Sequence, residues 1–182
     1  MFFGWFREVE EENGHYQYVR EAPNIHLLFG WLQIGSVYHV FPQCSKVPSW
    51  ANRHAEVSDG QEWRDADRCC HDWALHVAKK QLDFPGVRKD LPGGGAFEKY
   101  DDRLCLTEPG KNRGNWRLPG WMYPFPRKKA LTFHRARRKW NKDGKWALLR
   151  VAHRGQEFVL DCAEYPQQNV KEWLASLFNA AV

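Results

Sequence analysis

"FFGWFREV" (residues 2–9) and "LFGWLQIG" (residues 28–35) carry the same triplet, Phe3-Gly4-Trp5 and Phe29-Gly30-Trp31, inside two apolar runs. Glycine weakens a strand interior, so its presence there marks a bulge, a corner, or the close approach of a ligand or another backbone. The adjacent tryptophan brings a large apolar face and one N–H that needs an acceptor. Two neighbouring strands satisfy both demands if each carries a glycine where the sheet curls and a tryptophan that fills the inside. Between the runs, Asn13-Gly14 is a strong hairpin signal, because both turn positions take positive φ. Centring the turn there pairs Val9 with Tyr18 and Glu8 with Val19. Residues 25–41 are apolar on both faces through their middle, as in a strand covered on both sides. Gly30 and Gly35 would let so long a strand coil.

Farther along, the pattern is uneven. "FPQCSKVPSWANRH" (41–54) reads as a loop with a short helical turn, and "CCHDWALHVAKKQL" (69–82) suits a helix or a strand equally. "FPGVRKDLPGGGAF" (84–97) reads as loop and 103–106 as a short strand. "TEPGKNRGNWRLPGWMYPFPRKK" (107–129) is punctuated by Pro and Gly without periodicity, so it reads as a long irregular loop, a kind that usually has a function. "ALTFH", "WALLRVA" and "EFVLD" read as further strands. From Pro166 onward, Val170, Trp173, Leu174, Leu177 and Phe178 recur at helical spacing and predict a docking amphipathic helix. The expectation is one α+β domain over 1–182. It has a curled mixed or antiparallel β-sheet, or a small β-barrel, with flanking helices and the C-terminal helix closing it.

The chain has 182 residues, enough for one domain with a real core. Ten Trp, eleven Phe and six Tyr require either an aromatic-heavy core or a recognition surface made of rings. No apolar run of about 18 residues is present, so no membrane helix is expected. The start is acidic rather than basic and does not read as a signal peptide. Five scattered cysteines, an odd number, fit free thiols in a reducing compartment and hence a cytoplasmic location.

Charge is distributed unevenly. Residues 111–146 hold twelve Lys or Arg and one acid, Asp143, so that segment carries +11 while the remainder carries −6. Its cations are interleaved with Trp116, Trp121, Tyr123, Phe125, Phe133, Trp140 and Trp146. Cations neutralise phosphates and rings stack on bases, a combination that holds unpaired nucleotides. The expected phosphate contacts are Arg113, Arg117, Arg127, Lys128, Lys129, Arg135, Arg137, Arg138 and Lys139. The candidate base pocket is Trp5, Trp31, Trp116 and Trp121. The competing reading is a solvated basic face over an aromatic core. Cys69, Cys70, His71 and His76 lack the spacing of a zinc site, and no metal or cofactor is expected. Cys44, Cys105 and Cys162 read as small hydrophobes. His134 and Glu157 lie nearest to strand ends and are the candidates for general acid–base work. The competing reading is a salt-bridged strand end. No nucleophilic triad or phosphate-cradling loop is present.

Taken in order, "FGWFREV", "HLLFGWLQIGSV", "LPGGGAF", "LCLTEPG", "NWRLPGWMYP", "LTFHRARRKW" and "RGQEFVLD" resemble the nucleotide modification associated domain 3 family. The resemblance implies a link to modified nucleic-acid bases in bacteria and phages, with no established catalytic residues. It also implies residues before the first strand, so that this chain reads as a shortened form. The hairpin and the glycine-punctuated strand further resemble the start of PUA-like barrels, which include ASCH and EVE domains and hold a base on a small curled sheet. That resemblance implies that Gly30 lets a nucleotide approach the backbone while Trp31 lines the pocket. The resulting expectation is a protein that recognises nucleic acid, DNA with a modified base, through a Trp-lined pocket and a basic loop. The alternatives are a base-modifying or base-removing enzyme and a structural partner that docks on an acidic protein.

Overall fold

The computed structural model describes residues 1–39, 47–53, 74–126, 130–151 and 157–181. Strand β1 (Phe2–Phe6) leads into the hairpin of β2 (Val9–Glu12) and β3 (His15–Tyr18). The turn forms where its residues favour it, with φ of +54° at Asn13 and +78° at Gly14. Val9 lies opposite Tyr18, and the Val19 N–H donates to the Glu8 carbonyl at 3.1 Å, as the sequence predicts.

Strand β4 (Ile25–Leu32) pairs antiparallel with β1, and its residues His26–Leu28 are buried. The long strand expected over 25–41 ends at Gln33. There the N–H donates to the Gly93 carbonyl at 2.6 Å and the carbonyl accepts from the Lys79 N–H at 2.8 Å. The chain changes partners at this point. Strand β5 (Ile34–His39) pairs with β6 (Ala74–Ala78), which settles the helix-or-strand ambiguity for those residues in favour of strand. Residues 40–46 and 54–73 lie outside the described residues, and with them part of the ambiguous stretch. Strand β7 (Gly94–Ala96), three residues inside the stretch expected to be loop, completes the order β1-β4-β7. A Cβ at Gly30 would stand 2.9 Å from the Gly95 carbonyl oxygen, so the close approach that Gly30 permits is that of another backbone.

The stretch 107–129, expected to be irregular, contains a strand. Strand β8 (Asn115–Pro119) points Trp116 and Leu118 inward and then enters a 3-10 turn, Gly120–Met122. Five residues bounded by Gly-Asn and Pro-Gly are too short to show a period, so pairing rather than pattern makes this strand. Its partners arrive later in sequence: β9 (Trp140–Asp143) and β10 (Trp146–Arg150) form a hairpin, and the sheet order is β8-β10-β9. "ALTFH" is a turn, with Phe133 at φ +63°, and not the expected strand. Residues 103–106 give a 3-10 turn, Asp102–Leu104, followed by single bridges from Cys105 to Leu27 and from Thr107 to Trp116. Those bridges stitch the two three-stranded sheets together. Of "EFVLD", Glu157 makes one bridge, to Phe2.

The architecture is α+β. Small antiparallel sheets pack against one C-terminal helix, α1 (Gln167–Ala181), and the described strands form an open arrangement rather than a closed barrel. The helix completes the core from one side. Leu177 enters a cluster with Phe3, Leu28, Trp116, Leu149 and Phe158, while Val170, Leu174 and Phe178 enter a second with Trp31, Leu82, Leu91 and Tyr165.

Candidate nucleic-acid interface

The basic segment folds onto itself through one close approach. The Gly120 N–H donates to the Lys145 carbonyl at 2.8 Å, and a Cβ at residue 120 would stand 2.6 Å from that oxygen. Only glycine lets the turn after β8 lie on the turn between β9 and β10. Gly144, the first of the two residues joining β9 to β10, has φ of +53°, a conformation that hairpin turns assign to glycine. Trp121, Tyr123 and Phe125 from one turn and Trp146 from β10 then line a groove of about 510 Å³ with Lys142, Lys145 and, from α1, Asn169.

Packing holds these rings. Trp121 meets Tyr165 and Trp173 edge-on at 5.5 and 6.1 Å, and Tyr123 meets Phe125 and Trp140 edge-on at 5.8 and 6.4 Å. Cations lie over ring faces. The Arg117 guanidinium is 4.5 Å and the Lys145 ammonium 5.2 Å from the Trp146 centroid, and the Arg137 guanidinium is 5.7 Å from that of Phe125. Among the described residues, the ion pairs are Arg20–Glu21, Lys79–Asp83, Arg88–Asp90 and Arg103–Asp101, so these pairs engage no described cation of 111–146. Arg135, Arg137 and Arg138 are exposed and so is Lys142, while Lys139 is half-buried. Arg127, Lys128 and Lys129 lie outside the described residues.

The four tryptophans expected to form a pocket occupy four different environments. Trp121 lines the groove. Trp31 is 4% exposed, donates to the Pro92 carbonyl at 3.1 Å and lines a different cavity beside Gln33, Cys162 and Trp173. Trp116 is fully buried, donates to His26 Nδ1 at 2.9 Å, and has no face left for a base. Trp5 is 63% exposed, donates to Asn24 Oδ1 and carries the Arg113 guanidinium 4.0 Å from its centroid. Tyr123, Trp146, Lys142 and Lys145 belong to the basic aromatic segment but not to the expected phosphate contacts or base pocket, and they too line the groove. For Lys145 and Trp146 a local signal exists: they follow Asp143-Gly144, a turn that puts a lysine and a ring at the tip of a hairpin.

His134 and Glu157 are set apart by burial. His134 is 6% exposed, its ring packs 5.3 Å from that of Trp116, and its carbonyl accepts from Trp140 Nε1 at 2.7 Å. Burial, helped by the nearby Lys139 charge, pushes its pKa down to about 4, so the ring is neutral at pH 7. Glu157 is exposed at its bridge with Phe2, and neither residue lines the groove. Cys105 and Cys162 are half-buried, and burial pushes both thiols above their ordinary pKa, away from the reactive thiolate. Cys44, Cys69, Cys70 and His71 lie outside the described residues. Among the described residues, no helix is long and apolar enough to cross a membrane.

No curated protein and no solved structure matches the chain. The family model of the nucleotide modification associated domain 3 matches residues 1–161, a span that runs from β1 past β10 and stops before α1. That match covers most of the 182 residues, all four sheets and every lining residue of the basic groove except Asn169. The chain therefore belongs to the nucleotide modification associated domain 3 family.

Proposed function

We propose that the chain binds nucleic acid in the groove of the β8-β10-β9 sheet, and that its cognate form is DNA carrying a modified base. One unpaired base stacks on Trp146 and the neighbouring rings. Lys142 and Lys145 take the adjacent phosphates, and Arg135, Arg137, Arg138 and Lys139 extend the track along the strand. The observation that carries this reading is that four rings and two lysines of a +11 segment line one groove. Phosphates supply affinity on such a surface, and rings select for bases that are out of the duplex stack. The family's description, which ties it to nucleotide modification, supports a modified base as the feature that is read. An acidic protein would be drawn to the same cations but would leave the rings without a role.

The test is fluorescence anisotropy with single-stranded oligonucleotides that differ in the modification of one base. Binding to all of them is expected, with log K falling linearly as log salt rises and with higher affinity for one modified form. Affinity that ignores salt would remove phosphates from the interface. Equal affinity across the panel would remove the modified base from the proposal and leave general single-strand binding. Polyglutamate that binds as well as DNA would favour the acidic-protein reading.

A further inference from the structure

Another cavity lies along β4, from Ile25 to Phe29, and shares no lining residue with the groove. Its volume is about 660 Å³, within the usual range for small-molecule sites. It opens at the root of the β2–β3 hairpin and is walled by Phe6, Ile25, Leu27, Phe29, Phe97 and Leu104. Gly4 shapes this wall. A Cβ there would stand 2.9 Å from Phe6 Cε2 and 3.4 Å from Phe29 Cδ1, so the glycine lets both rings lie against the backbone of β1. The rings are not covered: Phe6 is 39%, Phe29 41% and Tyr100 64% exposed. Large apolar side chains converging on one open cavity with a few polar groups at its rim are the usual composition of a ligand pocket.

The rim identifies the class of occupant. Arg7 and Lys99 are matched there by Glu8 and Glu98, and Tyr100 adds a hydroxyl that donates to Asp102 at 2.7 Å. Opposite charges in equal number give an anion no advantage, in contrast to the groove. They do supply donors and acceptors for a neutral polar ring. Arg7 adds a specific donor. Its Nη2 is used by the Val19 and Arg20 carbonyls at 2.8 and 2.6 Å, while its buried Nε finds no acceptor in the protein. A ring carbonyl can fill that role.

We infer that this cavity is a binding site for a neutral, planar nitrogen heterocycle carrying a ring carbonyl: a nucleobase or nucleoside, without phosphate. The ring lies against Phe6 and Phe29 and accepts from Arg7. The site is independent of the nucleic-acid groove, so either assignment can fail alone.

The experiment is calorimetric titration of the full chain with unmodified and 5-substituted pyrimidine nucleosides, guanosine, the corresponding 5′-monophosphates, and indole as an apolar ring without a carbonyl. At least one nucleoside should saturate the protein at one site, with its monophosphate no tighter and indole at least about five-fold weaker. Phe29→Ala removes a wall and Ala22→Phe fills the mouth. Each should weaken the nucleoside by roughly five-fold or more, the low end of the loss of one stacked ring. Tyr16→Ala, at an exposed position that lines neither the cavity nor the groove, should leave nucleoside affinity unchanged. The inference is overturned if no nucleoside saturates, if indole binds as tightly as any nucleoside, if the monophosphates bind tighter, or if affinity survives whichever of the two cavity variants remain folded. If neither variant folds, alkylation of Cys105, which lines the cavity, decides: saturating nucleoside should slow its modification at least about five-fold by site-resolved mass spectrometry, and an unchanged rate would overturn the inference.

Discussion

Replacing Trp146 by alanine separates the contribution of a ring from that of a charge. Trp146 lines the groove and supports Arg117 and Lys145 over its face at 4.5 and 5.2 Å. It is half-buried, so the change costs less stability than the loss of a core ring. Its two cation–π interactions, at about 0.5–1 kcal/mol each on a partly exposed ring, contribute about 1–2 kcal/mol. For a chain of this size that lowers Tm by roughly 2–8 °C. The effect on binding is expected to be larger. Base stacking on one ring is worth about 1–3 kcal/mol, or roughly 5- to 150-fold in Kd. The slope of log K against log salt should stay where it is, because no cation is removed. The companion variant, Lys142→Ala with Lys145→Ala, should do the reverse. Removing two phosphate-neutralising cations from a single-stranded complex flattens the slope by about 1.4. The assay is anisotropy of a labelled single-stranded oligonucleotide at several salt concentrations, with thermal melting of each variant alongside. A Trp146→Ala variant that melts within the expected range and binds like the parent would show that no base stacks on this ring. A double lysine variant that keeps the parental slope would show that Lys142 and Lys145 contact no phosphate.

Four more outcomes follow from the geometry. Changing Arg137, Arg138 and Lys139 together to alanine should flatten the salt slope by up to about 2 on single strands, and an unchanged slope would remove that 3-10 turn from the track. Gly120→Ala pushes a methyl group against the Lys145 carbonyl at 2.6 Å and strains the 2.8 Å hydrogen bond beside it, so urea unfolding should show a loss of about 2–4 kcal/mol. Leu177→Ala, at a fully buried position, should cost about 2–5 kcal/mol by the same measurement, and removal of α1 should abolish cooperative unfolding because the helix completes both core clusters. His134 holds its proton at an ordinary pKa of 6.5 when unfolded and at about 4 when folded. The unfolded chain therefore binds the extra proton first, and stability should fall by up to about 3 kcal/mol as pH drops from 6.5 to 4, a trend that His134→Phe removes.

Local residue preferences specify those parts of the fold that are held by residues close in the chain. Asn13-Gly14 specified its turn and therefore the register of Val9 with Tyr18, because both follow from the φ preferences of two adjacent residues. The stripe of Val170, Leu174, Leu177 and Phe178 specified the helix, because helical periodicity places them on one face. The composition of 111–146 marked a basic, aromatic segment without any knowledge of its fold. Tertiary structure decided the rest, through partners far apart in sequence. Gln33 ends one strand and begins another because Gly93 and Lys79 reach it. Trp116 lies in the core because His26, 90 residues away, accepts its N–H, although its neighbours are as basic as those of Trp121. Trp146 faces the groove because Gly120 fits beneath Lys145. Ten tryptophans look alike in a sequence, since each has the same large face and single donor. Which faces are covered depends on what the chain brings to them, and that is settled by packing across the whole fold.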